Sequence, residues 1–137
     1  MTSLPPSPFC DDEELRQRLG DEAYFVLRQQ GTERPFSGRY YQHAEAGLYR
    51  CAACGQALFR SDAKFDAGCG WPSFMEPVSP DALTTHRDAS HGMLRIEVRC
   101  GRCGSHHGHV FDDGPGPRGL RYCINSVCLD FEADPPA

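Results

Sequence analysis

Short apolar clusters separated by turn formers make up most of this chain, and only the part before Gly31 carries a helical pattern. Asp11 and Asp12 suit a helix N-terminus, and Glu13–Leu19 predicts a short helix stopped by Gly20. Asp21–Gln30 predicts a second helix, with Tyr24, Phe25, Val26 and Leu27 available for packing and Gly31 as C-cap. From Thr32 onward turn residues recur, at Pro35, Gly38, Gly47, Gly68, Gly70, Pro72, Pro77, Pro80 and through Asp112–Gly119. Between them Gly47–Arg50, Leu94–Arg99, Ser105–Phe111 and Leu120–Phe131 read as strands, with an alternation of Leu94, Ile96 and Val98 in the second. The pattern predicts a mainly β domain of antiparallel strands over about 31–131, preceded by helices over about 11–30. Residues 1–10 are Pro-rich and expected to be mobile, which leaves 11–137 as one domain.

Composition narrows the function classes. The net charge is −5, with 13 Arg and one Lys scattered along the chain, so there is no basic footprint for nucleic acid. No apolar run approaches the ~18 residues of a membrane span. The N-terminus, Met1-Thr-Ser-Leu-Pro-Pro, has no basic region followed by an apolar core, so no signal peptide is expected. A reducing cytoplasm is the expected compartment, and nothing calls for an obligate partner subunit, so a monomer is expected.

The eight cysteines fall into two kinds. Cys51-Ala-Ala-Cys54-Gly and Cys100-Gly-Arg-Cys103-Gly are paired knuckles, separated by 45 residues. An x-x spacing lets two thiolates of one knuckle bind one ion, and two knuckles complete a tetrahedral zinc site. A loop longer than the usual ~15–20 residues means that the zinc would clip together distant parts of one domain. Four thiolates leave no open position, which makes the site structural. Two redox motifs or two disulfides are the other readings of these pairs. Cys10, Cys69, Cys123 and Cys128 are left for other work.

Read as a strand, Arg121-Tyr-Cys-Ile-Asn-Ser-Val-Cys128 puts Arg121, Cys123 and Asn125 on one face. A guanidinium beside Cys123 favours thiolate, the nucleophilic form. Either Cys123 is reactive, or it is a buried structural thiol among incidental polar residues. His106-His-Gly-His-Val-Phe111 leads into a linker saturated with Gly and Pro, which predicts a hairpin setting imidazoles beside Cys123. On a regular strand His106 and His109 face opposite ways, and a bulge at Gly108 would re-aim one of them. A metal role is the other reading of these histidines. Cys69, between Gly68 and Gly70, has a backbone free enough to reach another sulfur. Trp71, the chain's one Trp, is either a core anchor or an apolar wall for a small substrate group.

Taken together, these motifs resemble the B-type methionine sulfoxide reductases. The resemblance spans about Gly31 to Phe131. It rests on Pro35-Phe-Ser-Gly, the two knuckles, Gly68-Cys-Gly-Trp-Pro-Ser-Phe74, His106-x-Gly-His-Val-Phe111, Asp113-Gly-Pro115 and Arg121-Tyr-Cys-Ile-Asn-Ser126. It implies a fold of two antiparallel sheets and reduction of the R epimer of methionine sulfoxide in proteins. Cys123 would be the nucleophile that becomes a sulfenic acid. Cys69 would resolve it as a Cys69–Cys123 disulfide, which thioredoxin would reduce. His106, His109 and Asn125 would bind and protonate the oxygen side, and Arg121 would hold Cys123 as thiolate. Trp71 and Phe111 would bind substrate, and Cys51, Cys54, Cys100 and Cys103 would hold a structural Zn2+. His107 departs from the family's apolar residue and Cys128 is extra. On a continuous strand Cys128 points away from Cys123, which favours Cys69 as its partner; Cys10 is expected to play no part in turnover. A non-catalytic zinc-ribbon module would explain the knuckles and nothing else. A general Cys-x-x-Cys oxidoreductase would require the knuckle thiols to titrate freely.

Overall fold

The computed structural model describes residues 11–134; Cys10 and the rest of the segment expected to be mobile lie outside them. Helix α1, Asp12–Leu19, starts where Asp11 accepts hydrogen bonds from the Glu13 and Glu14 amides, and it stops at Gly20, whose φ is 92°. Helix α2, Asp21–Gln29, buries Ala23, Val26 and Leu27. Its C-cap is Gln30, in the left-handed region, and not Gly31 as the sequence suggested. Gly31 is needed for space: a Cβ there would lie 2.1 Å from the Phe25 ring.

Among the described residues nine strands follow, all paired antiparallel. Gly47–Cys51 (β1), Ala57–Arg60 (β2) and Leu129–Ala133 (β9) form one sheet in the order β2-β1-β9. Lys64–Phe65 (β3), Ser73–Phe74 (β4), Leu83–Asp88 (β5), Arg95–Cys100 (β6), His106–Phe111 (β7) and Arg121–Ile124 (β8) form the other, in the order β3-β4-β8-β7-β6-β5. The two-sheet β architecture with short leading helices is the expected one. Phe59 of β2 stacks on Phe74 of β4 with ring centroids 4.3 Å apart, fastening one sheet to the other in a core shared with Tyr49, Leu58, Ile124 and Leu129.

Two sequence expectations are corrected. Leu120–Phe131 is not one strand. β8 ends at Ile124, Ser126–Cys128 forms a 3-10 turn, and the chain crosses to the small sheet as β9. Side chains replace the ladder there: Asn125 Nδ2 donates to the His107 carbonyl, Asn125 Oδ1 accepts from the Glu33 amide, and Glu33 Oε1 accepts from the Val127 amide. The strand read over Leu94–Arg99 is present but runs one residue later, as Arg95–Cys100, and its alternation does not follow burial. Leu94 is 64% exposed and Ile96 37%, while Glu97 between them and Val98 is buried. β5, β2, β3 and β4 had no sequence signal. β5 is an exposed edge, β2 buries adjacent Leu58 and Phe59, and the last two are two residues long.

Candidate active site and metal centre

The knuckles end strands of different sheets, Cys51 closing β1 and Cys100 closing β6. Each is built alike. The Gly55 amide donates to the Cys51 carbonyl at 2.8 Å and the Gly104 amide to the Cys100 carbonyl at 2.9 Å, with φ of 83° and 75° at the two glycines. The four sulfurs of Cys51, Cys54, Cys100 and Cys103 lie within 4.8 Å of one another. Cys51 and Cys103 are 3.8 Å apart, Cys54 and Cys100 3.5 Å. A tetrahedron with Zn–S of ~2.3 Å has S···S edges of about 3.8 Å, so the donor set fits Zn2+ in size and chemistry. The helices grip both knuckles: Arg18 donates to the Ala52 and Ala53 carbonyls, and buried Arg28 bridges Asp12 to Ser105.

The hairpin expected from the sequence is formed, and its register sets Phe111 opposite Arg121 and His109 opposite Cys123. Gly108 makes this possible, since a Cβ there would lie 2.0 Å from the Cys123 carbonyl oxygen. A bulge is present in β7 against β6, but at His107 and not at Gly108, where the sequence suggested it. Val98 faces Gly108 but Arg99 faces His106, so His107 is the extra residue. His106 and His109 therefore meet, with ring centroids 5.5 Å apart. His107 turns instead to the cysteine cluster, its Nε2 3.2 Å from Cys51 Sγ. Burial, reinforced by His106, pushes its pKa down to about 3, so the ring is neutral.

A cavity of about 200 Å³ opens beside Cys123. Cys69, Trp71, His109, Phe111, Arg121 and Asn125 line it, as do Thr32 and Arg95, which the sequence did not single out. Cys69 Sγ is 3.9 Å from Cys123 Sγ. Its loop is pinned rather than free: the Phe36 amide donates to the Gly70 carbonyl at 2.7 Å. Trp71 lies against the cavity, its Nε1 donating to the Glu33 carbonyl. Arg121 donates twice to Asp113 and stacks over the Phe111 ring at 4.5 Å. Asn125 faces the cavity but spends its amide on the backbone bonds described above. His106 is not among the lining residues. It lies buried behind His109, bonded through Nδ1 to Glu97. Cys128 is buried in the core, its thiol donating to the His106 carbonyl.

The two facing thiols differ in acidity. Burial and the neighbouring Cys69 push Cys123 up to about 12, outweighing Arg121, which draws it toward thiolate. Cys69 is lowered: burial opposes ionisation, but the Ser73 hydroxyl, the Trp71 backbone and the Cys123 thiol outweigh it. Cys69 is therefore the more acidic thiol of the resting pair.

Two carboxylates with nothing in their sequence context to distinguish them complete the surroundings. Glu97 Oε2 accepts from His106 Nδ1 at 2.7 Å and from Gln30 Nε2 at 3.0 Å, and its Oε1 accepts from Arg99 Nε at 3.0 Å. Burial alone would raise its pKa, but these donors hold it at about 2. Asp88 accepts from His109 Nε2 at 2.8 Å.

Comparison with known proteins agrees with this geometry. The SelR domain model matches residues 19–133. The peptide methionine sulfoxide reductase MsrB of Thioalkalivibrio sulfidiphilus is 64% identical over 122 residues, 89% of either chain. That of Agrobacterium fabrum is 61% identical over 121 residues, 88% of this chain and 90% of its own. The Methanosarcina barkeri protein of the same name is 58% identical over 123 residues, 90% of this chain and 87% of its own. With one family model and relatives of this similarity spanning both sheets, the knuckles and the Cys123 cavity, the chain belongs to the SelR-domain family of B-type methionine sulfoxide reductases.

Proposed function

We propose that this oxidoreductase returns the R epimer of methionine sulfoxide in proteins to methionine, with Cys123 as nucleophile, Cys69 as resolving thiol and thioredoxin as reductant. Family membership supports the reaction class. The observation that carries the mechanism is the 3.9 Å separation of the Cys69 and Cys123 sulfurs beside one cavity. A disulfide needs about 2 Å, so the two sulfurs must close by about 2 Å more.

Cys123 gives up its proton and its sulfur attacks the sulfoxide sulfur. The oxygen passes to Cys123, which becomes a sulfenic acid with the displaced proton on that oxygen, and methionine leaves. Cys123 is oxidised by two electrons and the substrate reduced by two. Cys69, already the more acidic thiol, then attacks the Cys123 sulfur. The S–O bond breaks, water leaves with one proton, and the Cys69–Cys123 disulfide remains for thiol exchange with thioredoxin.

The high pKa of resting Cys123 means that its proton needs an acceptor at the moment of attack. His109, opposite Cys123 in the hairpin, is that acceptor, and it then supplies the proton to the departing oxygen. His106 buttresses it from behind. Asn125 fixes the end of β8, and its remaining amide hydrogen is available to the oxygen side. Trp71 forms the apolar wall for the substrate's terminal methyl, with the Arg121–Phe111 stack completing the cavity. Cys51, Cys54, Cys100 and Cys103 would hold Zn2+, which with four thiolate ligands supplies folding energy and no chemistry. We take the working unit to be a monomer, and the required free thiols fit a reducing cytoplasm.

Turnover of the separate R and S epimers of a methionine sulfoxide peptide, with a chemical thiol as reductant, tests this. Activity on the R epimer alone, abolished in Cys123→Ser, is expected. No turnover of either epimer by zinc-loaded protein would overturn the assignment. Cys69→Ser should release one equivalent of methionine and then stall with thioredoxin; normal recycling would remove Cys69 as resolving thiol.

A further inference from the structure

Asp88 ends β5, an edge strand with no apolar alternation, and no step described above uses it. Its place follows from three strand pairings. β5–β6 sets Asp88 opposite Arg95, β6–β7 sets Glu97 opposite His109, and β7–β8 sets His109 opposite Cys123. The carboxylate therefore meets the outer edge of the same imidazole that faces the nucleophile's strand.

Its two oxygens do different work. Oδ1 accepts from the Ser90 amide at 3.0 Å and the Ser90 hydroxyl at 2.6 Å, which fixes the side chain. Oδ2 accepts from His109 Nε2 at 2.8 Å and lies 3.4 Å from an Arg95 guanidinium nitrogen. Donation from Ser90 and His109 outweighs burial and holds this carboxyl well below the usual carboxylate range. An ionised carboxylate only accepts, so Nε2 carries the proton of the ring. Burial, helped by Arg95 and His106 and opposed by Asp88, keeps the ring below its ordinary pKa and thus neutral at pH 7. Arg95 lines the cavity while its Nε is buried without a partner, and Asp88 is the only carboxylate it contacts among the described residues.

We propose that Asp88 is a positioning residue of this active site. It fixes His109 as the Nε2–H tautomer, which leaves Nδ1 as the one ring atom able to move a proton between Cys123 and the sulfoxide oxygen, and it holds Arg95 at the same cavity. This rests on the reaction proposed above and goes beyond it in assigning the tautomer and the group that sets it. A neutral imidazole free to choose tautomers would spend part of its time with Nδ1 already protonated and unable to accept. Asp88 removes that choice.

The test uses full-length, zinc-loaded protein with Asp88→Asn and Asp88→Glu. Four quantities are read: single-turnover methionine release and KM for an R-sulfoxide peptide, thermal unfolding, and the ring 15N shifts of His109. Asp88→Asn should keep KM within about twofold while the single-turnover rate falls roughly 100-fold, the lower end of what a positioned acid–base group contributes. Its 15N shifts should show a mixture of tautomers in place of Nε2–H, and Asp88→Glu should restore both rate and tautomer in part. A single-turnover rate within twofold of wild type in Asp88→Asn would overturn the proposal. So would a wild-type ring protonated at Nδ1, or a lower rate with His109 shifts unchanged. Wild-type inactivity on the R epimer would sink the proposed reaction, and the 15N shifts would still decide separately whether Asp88 sets the tautomer.

Discussion

Gly108→Ala is the sharpest single test of how this fold holds its chemistry. The added Cβ would lie 2.0 Å from the Cys123 carbonyl oxygen, 3.0 Å from its carbon and 3.2 Å from the Ile124 Cα. All three are backbone atoms, so no side-chain rotation relieves the contact. A carbon and an oxygen settle at about 3.2 Å or more, so β7 and β8 must part by roughly 1 Å locally. Overpacking of this kind costs about 1–3 kcal/mol. The bond from the Asn125 amide to the His107 carbonyl, 2.9 Å long and next to the contact, stretches as well, at about 1 kcal/mol. Removing a glycine stiffens the unfolded chain and returns about 0.5–1 kcal/mol. The net expectation is a loss of about 1–3.5 kcal/mol, read by urea unfolding of zinc-loaded protein at pH 7. The displaced residue is Cys123 itself, so turnover should fall about 100-fold as well, the usual consequence of a 1 Å misplacement. A variant within about 1 kcal/mol of wild type with turnover within about twofold would refute the claim that Gly108 sets the spacing of the Cys123 strand.

Other perturbations separate the parts of the site. Glu97→Gln replaces an acceptor surrounded by donors from His106, Arg99 and Gln30 with an amide whose NH2 must face one of them. The folded carboxylate, at about 2, lies below its ordinary 4.5, so its contribution is present above pH ~4.5 and is lost as the pH falls toward 2. At about 1.4 kcal/mol per pH unit, the variant should be less stable by roughly 3 kcal/mol at pH 7 in urea unfolding; equal stability would show that the network carries nothing. Cys51→Ser should bind no zinc and unfold with at least ~3 kcal/mol less stability than zinc-loaded wild type, because an ion held by the four thiolates would tie β1 to β6. Full thermal stability in zinc-free Cys51→Ser would contradict that.

Features that depend on near neighbours were legible in the sequence. Asp11 before a polar helix start, the Gly-Pro linker between His109 and Cys123, and the paired knuckles all act over a few residues. What escaped depends on pairing between distant segments. Asp88 and Glu97 look like ordinary charges in mixed runs. Asp88 meets His109 only after β5, β6 and β7 have found their registers, and Glu97 is buried only because α2, β6 and β7 all send donors to it. The break after Ile124 was hidden for the same reason, since its stop signals come from Glu33 and Tyr40, far upstream.

His107 makes the same point within one strand. In a regular strand His107 and His109 would share a face, leaving His106 on the other with Gly108. One extra residue against β6 reverses this, bringing His106 beside His109 and sending His107 to Cys51. The bulge therefore serves the Cys123 side and the cysteine-cluster side at once. An apolar residue at position 107 would keep the first service and forfeit only the contact to Cys51. His107→Leu should thus retain the His106–His109 pairing and turnover, with any loss confined to metal affinity, measured by competition with a chelator. A fall in turnover in zinc-saturated His107→Leu would show that the two faces of this strand are not independent.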